Sequence, residues 1–458
     1  MARAKKETAL TPEERLQAAL VPDWEWPYKL PENWCWTRHN SIMDIVGGAQ
    51  PEKAFFIREP KEGYVQLYQT RDYGENPVPV YIPQKYATKT TDEGDILLAR
   101  YGGSLGKVFR AHKGAYNVAL AKVIILYPEV VDDEFLYLYY YSHFYQDFCI
   151  KAGYGRSAQA GFNKSDLNEL LFPLPPLAEQ HRIVDRIESL FAKLDEAKEK
   201  AQAVVDSFET RKAAILHKAF TGELTAKWRE EHDVGMESWE QCSLSDVCTV
   251  NPKKADTKDL PDELEVSFFP MPALSEIYGE ITDPQTRLLK EVRSGFTNFS
   301  EGDVVFAKIT PCMENGKSAV VGKLVNDIGY GTTEFFVLRC SDRLYNRFLY
   351  HLVRDKLFRD KAKAVMAGAV GQQRVPKRYL ETYKLNLPKF NEQREIVRIL
   401  DGSFAKEQQT KEAAEAVLDQ IDLMKKSILA RAFRGELGTN DPSEESAVEL
   451  LKEIIRRG

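Results

Sequence analysis

Six cysteines in 458 residues show no Cys-x-x-Cys spacing, and the seven histidines do not cluster with them. Cys35, Cys149, Cys242, Cys248, Cys312 and Cys340 therefore read as structural thiols of a reducing cytoplasm, and the pattern argues against zinc. No signal peptide opens the chain and no apolar run is long enough to cross a bilayer, so no role at a membrane is expected. Positive charge is not in excess either: 63 Lys and Arg face 69 Asp and Glu, a net charge of −6. That balance argues against a generally basic nucleic-acid coat but leaves room for a local basic cleft.

Catalytic motifs are missing as well. Gly106-Lys107 and Gly316-Lys317 lack the glycine that a P-loop needs five residues earlier, and Val108 stands where the first would need a hydroxyl. Gly153-Tyr154-Gly155-Arg156-Ser157-Ala158 fits a loose dinucleotide pattern but follows a helical stretch rather than a strand. The Asp/Asn-Pro-Pro-aromatic motif of amino-methyltransferases is absent, and so is a nuclease cluster of carboxylates and lysine. The chain is expected to perform no chemistry itself.

What the chain has is a long internal repeat. Leu174–Leu224 and Leu387–Leu437, at a constant offset of 213 without gaps, are identical at 23 of 51 positions. Each copy opens Leu-Pro-x-x-x-Glu-Gln, with Glu179-Gln180 and Glu392-Gln393, and closes Ala-Phe-x-Gly-Glu-Leu. A period above 200 residues is far longer than a solenoid unit, so each repeat is a whole domain plus its helix. Apolar residues at Ile183, Ile187, Leu190, Leu194, Ala197, Ala201, Val204, Phe208 and Ile215 form a coiled-coil seam. The second copy keeps it at Ile396, Leu400, Ala414, Val417, Ile421, Met424 and Ile428, with interruptions at Glu407 and Thr410. Roughly 40 residues make a rod of about 60 Å. An antiparallel second rod would return the chain to the first domain and create an approximate two-fold axis.

The domains share one plan. Trp34 matches Trp239, Tyr73-Gly74-Glu75 matches Tyr278-Gly279-Glu280, and Glu93-Gly94-Asp95 matches Glu301-Gly302-Asp303, each triplet-to-strand step being alike while loops differ. Phe135-Leu136-Tyr137 matches Phe348-Leu349-Tyr350. Strands are expected at Tyr64–Tyr68, Ile96–Ala99, Val123–Leu126, Val304–Ala307 and Phe335–Leu338, and helices within Asp133–Cys149 and Ser341–Ala364. Short terminal helices are expected after Thr11-Pro12-Glu13-Glu14 and after Asp441-Pro442-Ser443-Glu444. The class is α+β, with segments 1–27 (N-terminal extension), 28–176 (first domain), 177–225 (long helix), 226–388 (second domain), 389–438 (long helix) and 439–458 (tail).

Two Gly-rich loops precede the long helices. One carries Arg156, Ser157, Gln159, Asn163 and Lys164; the other carries Gln372, Gln373, Arg374 and Lys377. Backbone freedom combined with side chains that pair with guanine or adenine edges suits major-groove reading. Arg100, Lys107 and Arg110, with Lys308, Lys317 and Lys323, are candidates for phosphate contacts that position without specifying.

The order domain, Glu-Gln helix, domain, Glu-Gln helix resembles the specificity subunit of type I restriction–modification systems over nearly the whole chain. That resemblance implies two tandem α+β target-recognition domains joined by two long antiparallel coiled-coil helices in a pseudo-two-fold circular arrangement. Each domain would read half of an asymmetric, interrupted site in double-stranded DNA. Glu179, Gln180, Ile183, Ile187, Glu392, Gln393, Ile396 and Leu400 would serve helix pairing and partner docking. It implies two methyltransferase subunits that bring S-adenosylmethionine and methylate adenine N6, and restriction subunits that use ATP and Mg. The chain would be non-catalytic alone. A scaffold or adaptor holding protein partners in two homologous domains is the competing class, and salt separates the two, since DNA binding weakens steeply as salt rises.

Overall fold

The computed structural model describes residues 11–154, 161–276, 279–369 and 371–457. Two compact units emerge, Met1–Lys200 together with Val417–Gly458, and Ala201–Ala416. Each unit contains a globular domain and part of both long helices.

In the first unit, strands Met43–Gly47, Leu120–Ile125, Ile96–Ala99 and Val108–Arg110 lie side by side in that order, all antiparallel. A second sheet orders Tyr81–Pro83, Tyr64–Tyr68, Gly114–Tyr116 and Thr90–Thr91, with one parallel pairing between Tyr64–Tyr68 and Gly114–Tyr116. The second unit repeats both sheets in the same order and sense, including its single parallel pairing, Glu265–Phe269 with Gly329–Gly331. In each unit a two-stranded ladder, Cys35–Arg38 with Leu171–Leu174 or Glu240–Ser243 with Lys384–Leu387, brings the domain's ends together just before the long helix.

The Glu-Gly-Asp motif has a local job. Asp95 accepts the Asp92 amide at 2.8 Å and pairs with Lys122 on the neighbouring strand at 2.5 Å. Asp303 accepts the Ser300 amide at 2.8 Å and holds Arg339 through both carboxylate oxygens at 2.8 and 2.7 Å. Each carboxylate closes the turn that launches a fully buried strand, Ile96–Ala99 or Val304–Ala307.

Both repeated motifs turn out to clamp the long helices to the domains. Glu179 is fully buried and accepts from Trp34 Nε1 (2.7 Å), Asn440 Nδ2 (2.7 Å) and Thr439 Oγ1 (3.3 Å). Glu392 accepts from Trp239 Nε1 (3.0 Å), Thr225 Oγ1 (2.7 Å) and Arg229 Nη1 (2.8 Å). Gln180 accepts the Asp132 amide (2.8 Å) and donates to Val130 O (2.7 Å), as Gln393 accepts the Tyr345 amide (2.7 Å) and donates to Arg343 O (2.8 Å). These four residues, read from sequence as pairing and docking groups, thus bond inside their own unit because a carboxylate or amide so deeply buried needs partners there. Ile183, Ile187, Ile396 and Leu400 likewise sit fully buried in the domain cores rather than on an open seam.

The closing motif supplies the reciprocal contact. Phe433, at the end of the second helix, packs on Phe135 (5.1 Å between centroids) in the first unit, and Phe220, at the end of the first helix, packs on Phe348 (5.4 Å) in the second. Gly222 and Gly435 then stop the helices at φ of +85° and +73°, a backbone that other residues adopt only with strain.

The first long helix runs Leu177–Asp206 and Phe208–Thr221, broken at Ser207, whose Oγ donates back to Ala203 O at 2.6 Å. The second is continuous over Phe390–Ala432. Within each unit their segments run antiparallel: Asp195 meets Lys425 and Lys198 meets Asp422 in one, Arg211 meets Glu407 (2.7 Å) in the other. Glu407 therefore replaces an apolar seam contact with an ion pair. Two seam positions differ from those expected, for Val417 and Met424 are exposed whereas their neighbours Leu418 and Lys425 are partly buried. The heptad itself holds, since Leu400, Phe404, Glu407, Lys411, Ala414, Leu418, Ile421, Lys425 and Ile428 are all buried or half-buried at alternating steps of four and three.

The N-terminal helix Pro12–Ala19 forms with the expected capping box between Thr11 and Glu14. The tail helix begins later than expected, at Ala447, and packs on it through Arg15 to Ile455 O at 3.3 Å.

His39 is a pH-sensitive part of the first unit. Fully buried, it meets Tyr140 Oη at 2.7 Å and Asn40 Oδ1 at 3.2 Å, and burial lowers its pKa to about 4. The neutral ring is the folded form, so its contribution is complete above the unfolded value of 6.5 and is lost as pH falls towards 4. Wild type should lose up to about 3 kcal/mol more than His39→Gln between pH 7 and 4 in urea titrations. Parallel curves would contradict this.

Candidate nucleic-acid interface

The Gly-rich loops and the ends of the central strands meet in each unit through one hydrogen-bond skeleton. In the first, Arg100 N donates to Ala119 O (3.0 Å) and Phe162 N donates to Arg100 O (3.2 Å). In the second, Lys308 N donates to Glu334 O (2.9 Å) and Val375 N donates to Lys308 O (2.9 Å). Isolated bridges pair Tyr101 with Gly161 and Ile309 with Arg374 at the same place. Arg100 therefore corresponds to Lys308, Ala119 to Glu334, and Gly161 to Arg374.

The side chains on that shared frame differ. Gly161 admits nothing larger, since a Cβ there would lie 2.3 Å from the Tyr101 ring and 2.4 Å from Arg100 O. At the matching position Arg374 projects to the surface and grips Glu334 in a two-pronged pair at 2.9 and 2.8 Å, while its Nη1 also donates to Gln372 O at 3.0 Å. The Arg374 side-chain bond is the main factor holding the Glu334 carboxyl below the ordinary value. Gln373 is tied to Thr310 in both directions, N to Oγ1 at 3.2 Å and Thr310 N to Gln373 O at 3.0 Å, and Gln372 is exposed.

Around the first loop, the Arg100 guanidinium donates to Val118 O (3.3 and 3.1 Å) and lies 4.8 Å from the Tyr101 ring centre. Asn163 accepts from Tyr101 Oη at 3.2 Å, Lys164 pairs with Asp44 at 2.7 Å, and Lys107 is exposed. Arg156, Ser157 and Gln159 lie outside the described residues.

Two expected phosphate contacts are otherwise engaged. Arg110 is clasped by Asp133 and Glu134 and stacks 4.3 Å from the Tyr137 ring centre, so its charge is neutralised inside the domain. Lys317, mostly buried, points to Met271 O (3.4 Å) and Glu276 (3.6 Å). Lys308 lies over the Phe336 ring at 5.7 Å, Lys377 pairs with Glu381 at 2.9 Å along its own helix, and Lys323 is exposed. The structure thus gathers Lys308, Gln373 and Arg374 with Glu334, and leaves Arg110 and Lys317 out. Glu334 escaped the sequence reading because nothing in Thr332-Thr333-Glu334 announces a partner 40 residues away.

Among the described residues, no group of His, Cys, Asp and Glu has a metal-binding arrangement, and no helix is long and apolar enough to cross a membrane.

The chain is similar to the type I restriction enzyme EcoEI specificity subunit of Escherichia coli, 32% identical over 260 residues, 48% of this chain and 43% of that protein. It spans less than half the length of that curated relative. The EcoKI specificity subunit of Escherichia coli strain K12 matches at 24% identity over 93% of this chain and 96% of its own length. The fold is similar to that of the HsdS subunit from Thermoanaerobacter tengcongensis, with a TM-score of 0.59 at 20% identity, 90% of this chain and all of that one being covered. The type I restriction modification DNA specificity domain matches twice, over residues 31–205 and 236–417, so the duplicated unit described above is that domain, and the chain belongs to this family.

Proposed function

We propose that this chain is the DNA-recognition subunit of a type I restriction–modification complex, each domain reading one half of an asymmetric, interrupted site in double-stranded DNA. The observation that carries the reading is the pair of frames with matching hydrogen bonds and different side chains: Ala119 and Gly161 in one, Glu334 and Arg374 in the other. Identical frames bring equivalent loops to equivalent grooves, and unlike side chains read unlike bases. The long helices, antiparallel within each unit, support a pseudo-two-fold arrangement in which they set the gap between half-sites and present surface to two methyltransferase subunits. In that assembly S-adenosylmethionine and adenine-N6 methylation belong to the partners, ATP and Mg to restriction subunits, and sequence choice to this chain, in the cytoplasm.

Methylation sequencing tests this in a methylation-deficient bacterial host expressing the chain with its modification partner. Methylated adenines in one interrupted, non-palindromic motif are expected; their absence from a soluble, copurifying complex would refute the reading. Inserting one helical turn, about 5.4 Å, into the stretch around Ala197 should change the gap and leave both half-sites intact. Altered bases within a half-site would remove the spacer role.

A further inference from the structure

Beside the paired loops, each unit carries one turn built to the same pattern. Residues 117–120 are closed by Leu120 N donating to Asn117 O (3.0 Å), and residues 332–335 by Phe335 N donating to Thr332 O (3.3 Å). The opening residue braces each turn with its own side chain: Asn117 Oδ1 accepts the Ala119 amide and Thr332 Oγ1 the Glu334 amide, both at 3.2 Å. Its amide docks the turn on the neighbouring sheet, Asn117 N to Tyr68 O (3.1 Å) and Thr332 N to Phe269 O (3.4 Å). The third residue, Ala119 or Glu334, accepts from Arg100 N or Lys308 N, the bond that joins the turn to the frame of the Gly-rich loop. With all four bonds matched, Val118 and Thr333 are equivalent tip residues, and both are exposed.

The polarity of the two frames differs in one direction. Where the second unit has Thr333, Glu334 and Arg374, the first has Val118, Ala119 and Gly161. Val118 is 40% exposed. Turn positions favour Gly, Pro, Asn, Asp and Ser, and the second repeat carries a polar tip on the same backbone, so the turn itself does not call for valine. The tip is also held still. The Arg100 guanidinium donates to Val118 O through Nε (3.3 Å) and Nη2 (3.1 Å) and lies over the Tyr101 ring. A β-branched side chain on so fixed a backbone has little rotamer freedom left to lose on contact.

We propose that, within the recognition role set out above and resting on it, Val118 is a specificity-determining residue that reads the 5-methyl group of one thymine in the half-site of the first domain. That methyl is the apolar group that a base pair presents in the major groove. Val118 covers it and takes both from water, while Ala119 and Gly161 add no polar side chain to the frame. The second domain, with Thr333, Glu334 and Arg374 on the matching frame, offers hydrogen-bonding groups instead. The two half-sites then differ in the kind of contact and not only in sequence.

The test uses the full chain in complex with its modification partner, and duplex oligonucleotides carrying the methylated motif found for wild type. Each thymine of the two half-sites, on either strand, is replaced in turn by deoxyuridine, which removes only the methyl group, and affinity is read by competition. Wild type should lose roughly fourfold at one thymine. Val118→Ala should bind the thymine and deoxyuridine forms of that site alike. Its melting temperature and salt dependence should match those of wild type, since neither the bonds of the turn nor a phosphate contact is lost. The proposal is overturned if no thymine methyl matters to wild type, or if Val118→Ala keeps the wild-type preference for thymine at every position. Either result alongside a wild-type methylation motif confines the failure to Val118. Wild type without any motif would overturn the recognition role and this contact with it.

Discussion

Replacing Glu392 by alanine should destabilise the second unit by about 3–5 kcal/mol, because it strands the Arg229 guanidinium in a buried site. Arg229 and Glu392 are 8% and 1% exposed, and the pair is enclosed by Trp239 and Thr225. Coulomb attraction there offsets a desolvation cost that a lone charge would bear in full. The first unit offers a matched comparison. Glu179 is held by Trp34, Asn440 and Thr439, all neutral, so Glu179→Ala removes hydrogen bonds without orphaning a charge and should cost about 1–3 kcal/mol. Urea unfolding, read with hydrogen exchange to separate the units, would show the asymmetry. An Arg229→Met/Glu392→Met double variant should be more stable than Glu392→Ala alone. Equal costs at 179 and 392 would mean that the arginine adds nothing to the clamp.

Arg374→Ala should change base preference at one position of one half-site, costing about 1–3 kcal/mol against the correct base and leaving the other half-site untouched. The guanidinium is already oriented: both prongs are held by Glu334, at 2.8 and 2.9 Å, on a loop pinned through Gln373 and Thr310. Glu334→Gln keeps the shape but loosens that grip, so it should relax the same position less severely. Gln372→Ala and Gln373→Ala should act on the same half-site. Methylation motifs of the variants, compared with wild type, provide the measurement. Uniform loss across all sequences would turn Arg374 into a phosphate contact. A shift in the opposite half-site would separate this loop from the second domain's reading.

The repeat, the two helix ends and the duplicated domain plan were legible in the chain alone. They rest on local rules: an apolar period sets a helix, a Gly-bearing stop ends it, and 23 identities without a gap require equal structures. The strands at Tyr64–Tyr68, Ile96–Ala99 and Val304–Ala307 followed from the same rules.

Partnerships were not legible, because they depend on which strands and loops come to lie side by side. Glu179 and Glu392, expected to serve helix pairing and partner docking, accept from the indoles of Trp34 and Trp239, a partnership that no local pattern announces. Arg110 and Lys317, expected as phosphate contacts, lie against Asp133, Glu134 and Glu276, which are remote from them in sequence. Arg374 and Glu334, 40 residues apart, meet only because a loop crosses the end of a central strand. Sequence period determined which elements form and that they form twice. The packed fold alone decided which charges are neutralised, because ion pairing depends on distance in space and on burial.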